Sequence, residues 1–173
     1  MPRYIAFLRA INVGGHVVKM TQLRALFEEL GFGHVETFIA SGQVIFETRS
    51  ADRSKLEAKI EKHLRAALGY DVATFIRTPD DLKKIAARAR HDGRTLYVCF
   101  TRKAPDRAAQ ARLLTFTNEV DEFEVHGSEV FWYAHKTLSE STFSGALLEK
   151  ILAMPASARN INTVNRLVAK YAE

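Results

Sequence analysis

The chain has 173 residues, enough for one ordinary domain or two very small ones, and its 47% hydrophobic and 26% charged residues exclude disorder as the default state. Cys99 is the only cysteine, which excludes an intramolecular disulfide and a multi-cysteine metal site and suits a reducing cytosol. Arg3 and Arg9 interrupt the first apolar run, unlike a signal peptide, and no stretch reaches the roughly 18 apolar residues that span a bilayer, so a soluble cytoplasmic protein with no membrane partner is expected.

Residues 4–9 read as a strand, after which Gly14 and Gly15 interrupt regular structure. Met20, Leu23, Leu26, Phe27 and Leu30 follow helical spacing, with Gly31 placed to end the helix. Residues 34–39 and 43–48 are β-rich runs on either side of Ala40, Ser41 and Gly42, an antiparallel pair with a short connection. Leu56, Ile60, Leu64 and Leu68 mark a second amphipathic helix ending at Gly69, and residues 72–77 return to strand. The order β-α-β-β-α-β is that of the split βαβ, or ferredoxin-like, arrangement.

Thr78, Pro79, Asp80 and Asp81 then form a helix start: a capping hydroxyl, proline at the first helical position and acids in the first turn. A turn at His91–Gly93 leads to a strand over 94–101 and a helix opened by Pro105. Residues 123–126 and 129–133 flank Gly127-Ser128, which suits a two-residue type II′ hairpin. Phe143, Leu147 and Ile151 mark a further helix, and Val164, Leu167, Val168 and Tyr171 a terminal one. The expected fold is therefore α+β with two ferredoxin-like halves, 1–78 and 79–173, built on antiparallel sheets. The second half shows no clear last strand and carries an extra C-terminal helix.

Charge is unevenly placed. Ten basic residues lie between Arg77 and Arg112 against four acids, whereas Glu119, Asp121, Glu122, Glu124 and Glu129 fall in a stretch with no Lys or Arg. Such polarity permits an anionic partner, and the plainer reading is solvated helix faces beside an acidic hairpin. The six histidines show no HxH, HxxxH or HExxH spacing, so no metal site is expected. Cys99 in a β-like run reads as a small buried hydrophobe, and Trp132 as part of a buried aromatic strand.

Three segments ask for more than core packing. The loop from Arg9 to Lys19, with Asn12, Gly14 and Gly15, allows backbone amides to approach an anion at the following helix start, although it is neither a Walker A loop nor a dinucleotide fingerprint. Ser41 sits at a hairpin tip, which we place at the opposite end of the sheet from that loop. In the third, Asn160 or Asn162 can cap the last helix, with Arg159 beside it.

These segments, LRAINVGG at 8–15, FIASGQVIF at 38–46 and ARNINTVNRL at 158–167, resemble the three signature blocks of the bacterial DUF1697 family, whose members are uncharacterised. The resemblance runs from Tyr4 to about Leu167. It implies two ferredoxin-like halves and no established activity, substrate or cofactor. Its characteristic positions here are Arg9, Asn12, Val13, Gly14, Gly15, Met20, Ser41, Gly42, Arg159, Asn160, Asn162 and Thr163. The chain departs at Ala10, usually glycine, at Gln43, usually asparagine, and at Ile161, usually tryptophan.

The functional expectation is a small anionic or phosphorylated ligand held by Arg9, Asn12, Gly14, Gly15, Lys19, Ser41, Arg159, Asn160 and Asn162, whether for binding alone or for catalysis. Alternatives are an RNA-binding module, suggested by topology and the basic run, and a protein-interaction or oligomerising module. The RNA reading lacks the aromatic-rich central strand of RNA-recognition modules.

Overall fold

A computed structural model describes residues 1–9, 11, 15, 17–38, 42–135 and 143–172. The chain divides into two compact units, Met1–Asp81 and Leu82–Glu173.

The first unit runs β1 (Arg3–Leu8), α1 (Met20–Glu29), β2 (Gly33–Phe38), β3 (Gln43–Glu47), α2 (Arg53–Leu68) and β4 (Thr74–Arg77). Its sheet has the order β2-β3-β1-β4 with every neighbour antiparallel. Alternation along the strands sends Tyr4, Ala6, Leu8, Val44, Phe46 and Ile76 into one core with Leu23 and Phe27 of α1 and Leu56, Ile60 and Leu64 of α2. Within it Phe32 stacks on Phe46 at 4.4 Å between centroids. The alternate strand positions Ile5, Phe7, Ile45 and Phe75 are buried as well. That is why these strands read as continuous apolar runs and not as alternating ones.

The helix signals act as read. Asp52 Oδ1 accepts from Lys55 N at 3.1 Å, and Gly69, at φ 84°, closes α2 in the left-handed conformation. The edge of β4 is guarded from α2. Glu57 Oε2 accepts from Ile76 N at 3.0 Å and Glu61 Oε2 from Thr74 N at 3.2 Å, so amides on an edge strand are taken by side chains of the same unit. Replacing Glu57 with alanine strands the buried Ile76 amide and should cost about 1–3 kcal/mol. Glu57→Gln keeps an acceptor and should cost less, and faster hydrogen exchange at Ile76 in the alanine variant alone checks the assignment.

α3 (Pro79–Arg88) starts in a reciprocal capping box. Asp81 N donates to Thr78 Oγ1 at 3.1 Å, and Thr78 N to Asp81 Oδ2 at 2.9 Å.

The second unit continues with β5 (Thr95–Phe100), α4 (Arg107–Leu114), β6 (Asp121–His126), β7 (Glu129–Ala134), α5 (Gly145–Leu152), β8 (Ser157–Asn160) and α6 (Ile161–Tyr171). Its sheet order, β6-β7-β5-β8, is that of the first unit repeated, again antiparallel throughout. Both units fit the ferredoxin-like arrangement. Gly127 takes φ 59° at the two-residue hairpin between His126 and Glu129. Val130, Trp132, Cys99 and Phe123 face Ala109, Leu113, Phe143, Leu148 and Ile151, while α6 packs on β5 and β8.

Two expectations are corrected here. The second half does have its last strand: β8 pairs with β5 from Phe100 and Ser157 to Tyr97 and Asn160. Ser-Ala-Arg-Asn carries no β-branched or aromatic residue, and its buried positions are Ser157 and Arg159, so the apolar signature of a strand is missing. In addition, α4 begins at Arg107, capped by Asp106 Oδ1 accepting from Ala109 N at 2.8 Å, and not at Pro105.

Candidate functional site

Strands β1 and β2 are separated in the sheet by β3, antiparallel to both, so they run in the same direction and end at the same edge. The loop after β1 and the β2–β3 hairpin tip therefore share one end of the sheet, which corrects their expected placement at opposite ends. The contacts are direct. Leu8 N donates to Gly42 O at 2.9 Å, and Arg9 N to Ala73 O at 2.9 Å just before β4. Gly42 has φ 89°, and a Cβ there would lie 2.6 Å from Ile11 Cγ2 and 3.4 Å from Leu8 O. Glycine is thus required twice at this position, for its conformation and for the close approach of hairpin to loop. Gln43, fully buried, closes the hairpin from within by donating Nε2 to Phe38 O at 2.9 Å.

Gly15 is exposed at φ 85° with open space around it, Val17 is 84% exposed, and Val18 returns to the core. Lys19, exposed, stands at the N-cap of α1 with extended dihedrals and makes no side-chain cap, and no acidic residue occupies the first turn. Among the described residues the other five helices each begin on a side-chain cap, from Asp52, Thr78, Asp106, Ser144 or Asn160. Among the described residues the first amides of α1 therefore receive no side-chain cap, and the positive end of the helix is reinforced by Lys19. The equivalent connection in the second unit, residues 101–106, is shorter and ends on the capping carboxylate of Asp106.

Of the predicted residues, Arg9 leaves the end of β1 half-buried, and Gly15 and Lys19 lie in the same connection. Asn12, Gly14 and Ser41 lie outside the described residues. Arg159, Asn160 and Asn162 belong to the second unit, at the junction of β8 and α6. Asn160 Oδ1 accepts from Asn162 N at 2.9 Å, so the start of α6 is capped from within. Arg159 is buried, its pKa pushed down to about 10 by that burial. Its Nη1 donates to Ser157 Oγ at 2.6 Å and to Ala158 O at 2.9 Å. Sequence reasoning missed Ile11, Gly42 and Ala73 as the brace of the loop. The signal was available in strand direction, because two strands with one antiparallel strand between them must point the same way.

The remaining candidates have structural roles. Burial pushes the Cys99 thiol up to about 12, which removes it as a nucleophile at neutral pH. Trp132 is buried and donates Nε1 to Asp121 Oδ1 at 2.7 Å. The basic run meets the acidic hairpin within the second unit. Arg94 bonds Asp92 at 2.6 Å and Glu122 at 2.5 Å, and Arg90 bonds Glu122 at 2.9 Å. Both guanidinium groups lie over the Tyr133 ring, at 4.9 and 4.4 Å. Part of the apparent charge polarity is thus neutralised internally, and the aromatic run of β7, Phe131, Trp132 and Tyr133, is buried.

This cluster makes an acid-sensitive joint. Arg94 holds Asp92 down to about 2 and holds Glu122 below the usual carboxylate range, with Arg90 adding to both. Because the folded pKa values are depressed, the contribution is complete above the ordinary carboxylate range and is lost as pH falls toward about 2. The melting temperature of the second unit should fall over that interval, and less steeply in Arg94→Gln, which is already less stable at neutral pH. Equal slopes in the two proteins would contradict this assignment.

Among known proteins, the family profile described as "Protein of unknown function (DUF1697)" matches residues 1–131. The solved structure of the conserved bacterial protein SP0830 from Streptococcus pneumoniae is similar, with a TM-score of 0.74 at 22% identity over 100% of this chain and 99% of that one. No curated protein matches the chain.

Proposed function

The chain belongs to the DUF1697 family, and on that premise we propose that it holds a small anionic or phosphorylated ligand at the β1–α1 end of the first unit. The observation that carries this reading is the start of α1. It is the helix that begins without a side-chain cap, beside Lys19, at the sheet end where the Gly42 hairpin tip is pressed onto the loop. Helix starts of this kind accept negative charge through backbone N–H groups and the helix dipole. In this reading Arg9, Asn12, Gly14, Gly15, Lys19 and Ser41 form the binding end. Arg159, Asn160 and Asn162 keep the β8–α6 junction in shape.

Melting curves with inorganic phosphate and pyrophosphate test it. A bound anion stabilises by mass action, about 2.7 kcal/mol at a hundredfold excess over its dissociation constant. The expected result is a rise for the parent that is much reduced in Lys19→Gln. If neither anion raises the melting temperature, or Lys19→Gln responds like the parent, the reading is dropped.

A further inference from the structure

We propose that a groove between α4 and α5 in the second unit binds a small amphiphilic anion, an apolar body of medium length with one anionic head. The groove encloses about 460 Å³ and is lined by Arg112, Thr115, Phe116, Leu147, Lys150 and Ile151, a volume in the range of small-molecule sites. Within that lining, at the end of α4, Phe116 is 38% exposed. Beneath it, Phe116 packs edge-on to Phe143 at 6.1 Å between centroids, and Phe143 packs on Phe123 at 4.6 Å, so the floor is backed by a fixed aromatic cluster.

The two cations decide the ligand's charge. Among the described residues neither Arg112 nor Lys150 makes an ion pair, in contrast to Arg90 and Arg94 of the same basic run. Among the described residues no carboxylate lines the groove. Arg112 is held at its edge by Nη2 donating to Ile151 O at 3.0 Å, which fixes the guanidinium and leaves further donors on its fork. Both cations sit in the last turns of their helices, where they offset the dipole. That role accounts for the charges but not for apolar side chains left in water beside them. An anionic head on Arg112 and Lys150, with its tail over Phe116, Leu147 and Ile151, satisfies both features. The inference is independent of the first-unit site.

The test is a titration of the whole protein followed by backbone amide shifts, with octanoate, octanol and inorganic phosphate as probes. Octanoate should give saturable shifts concentrated at residues 112–116 and 147–151. Octanol should bind there roughly tenfold more weakly, the ratio expected for loss of one charge-assisted contact, and phosphate should leave these amides unmoved. Lys150→Gln, which removes no internal bond, should weaken octanoate by a similar factor, and Phe116→Ser should weaken octanoate and octanol alike. Absence of saturable octanoate shifts in these two segments overturns the proposal, as does equal binding of octanol or an unchanged affinity in Lys150→Gln.

Discussion

Gly42→Ala should destabilise the first unit by about 3 kcal/mol, lowering its melting temperature by roughly 10 °C or more. Two costs combine. A non-glycine residue at φ 89° carries about 1–2 kcal/mol of left-handed strain. A Cβ 2.6 Å from Ile11 Cγ2 and 3.4 Å from Leu8 O adds an overpacking cost of about 1–3 kcal/mol, because Ile11 is itself buried. Gly31→Ala separates the two, since its φ is 86° and nothing lies within 4 Å of the added methyl; it should show only the conformational part. Melting curves of both variants check the account, and equal losses would mean that hairpin and loop do not press on one another. Gly42→Ala should also weaken phosphate binding, because relieving the clash moves Ile11 and the loop that precedes α1.

The second large effect lies in the other unit. Trp132→Ala removes the largest side chain of a core built with Phe123, Phe143 and Tyr97, whose rings lie 6.4, 5.0 and 5.2 Å from it, and should cost about 3–5 kcal/mol. Trp132→Phe keeps most of that packing but deprives Asp121 Oδ1 of the indole N–H, inside a part of the protein where Asp121 is almost wholly buried. Its expected cost is about 1–3 kcal/mol. Denaturation followed by circular dichroism distinguishes them. If the phenylalanine variant loses as much as the alanine variant, the hydrogen bond and not the packing holds this core.

Much of the architecture is legible because local signals agree with one another. Leu56, Ile60 and Leu64 at helical spacing, Asp52 before them and Gly69 after them all specify α2, and each does so by a different physical route. Thr78, Pro79 and Asp81 do the same for α3. Strand β8 escaped because its inward positions are Ser157 and Arg159, buried through hydrogen bonds in place of apolar contacts. Pairing between elements was equally hidden. Composition shows a basic run and an acidic hairpin, yet only the folded chain shows that Arg90 and Arg94 are taken up by Glu122 while Arg112 and Lys150 are not.

The candidate site was half legible for a related reason. A glycine-rich loop before a helix is recognisable from residue type alone, whereas the meeting of that loop with Gly42 depends on strand direction across the sheet. Asn160 shows the converse. Its residue type suits both a cap and a ligand contact, and the 2.9 Å bond to Asn162 N assigns it the cap.

The most direct test is a phosphate titration of the whole protein monitored at backbone amides. The account predicts saturable shifts at Gly15, Met20, Thr21, Gln22 and Gly42, lost in Lys19→Gln, with the amides of Asn162 and its neighbours in α6 unmoved. Shifts centred on α6, or no saturable shift at the start of α1, would contradict it.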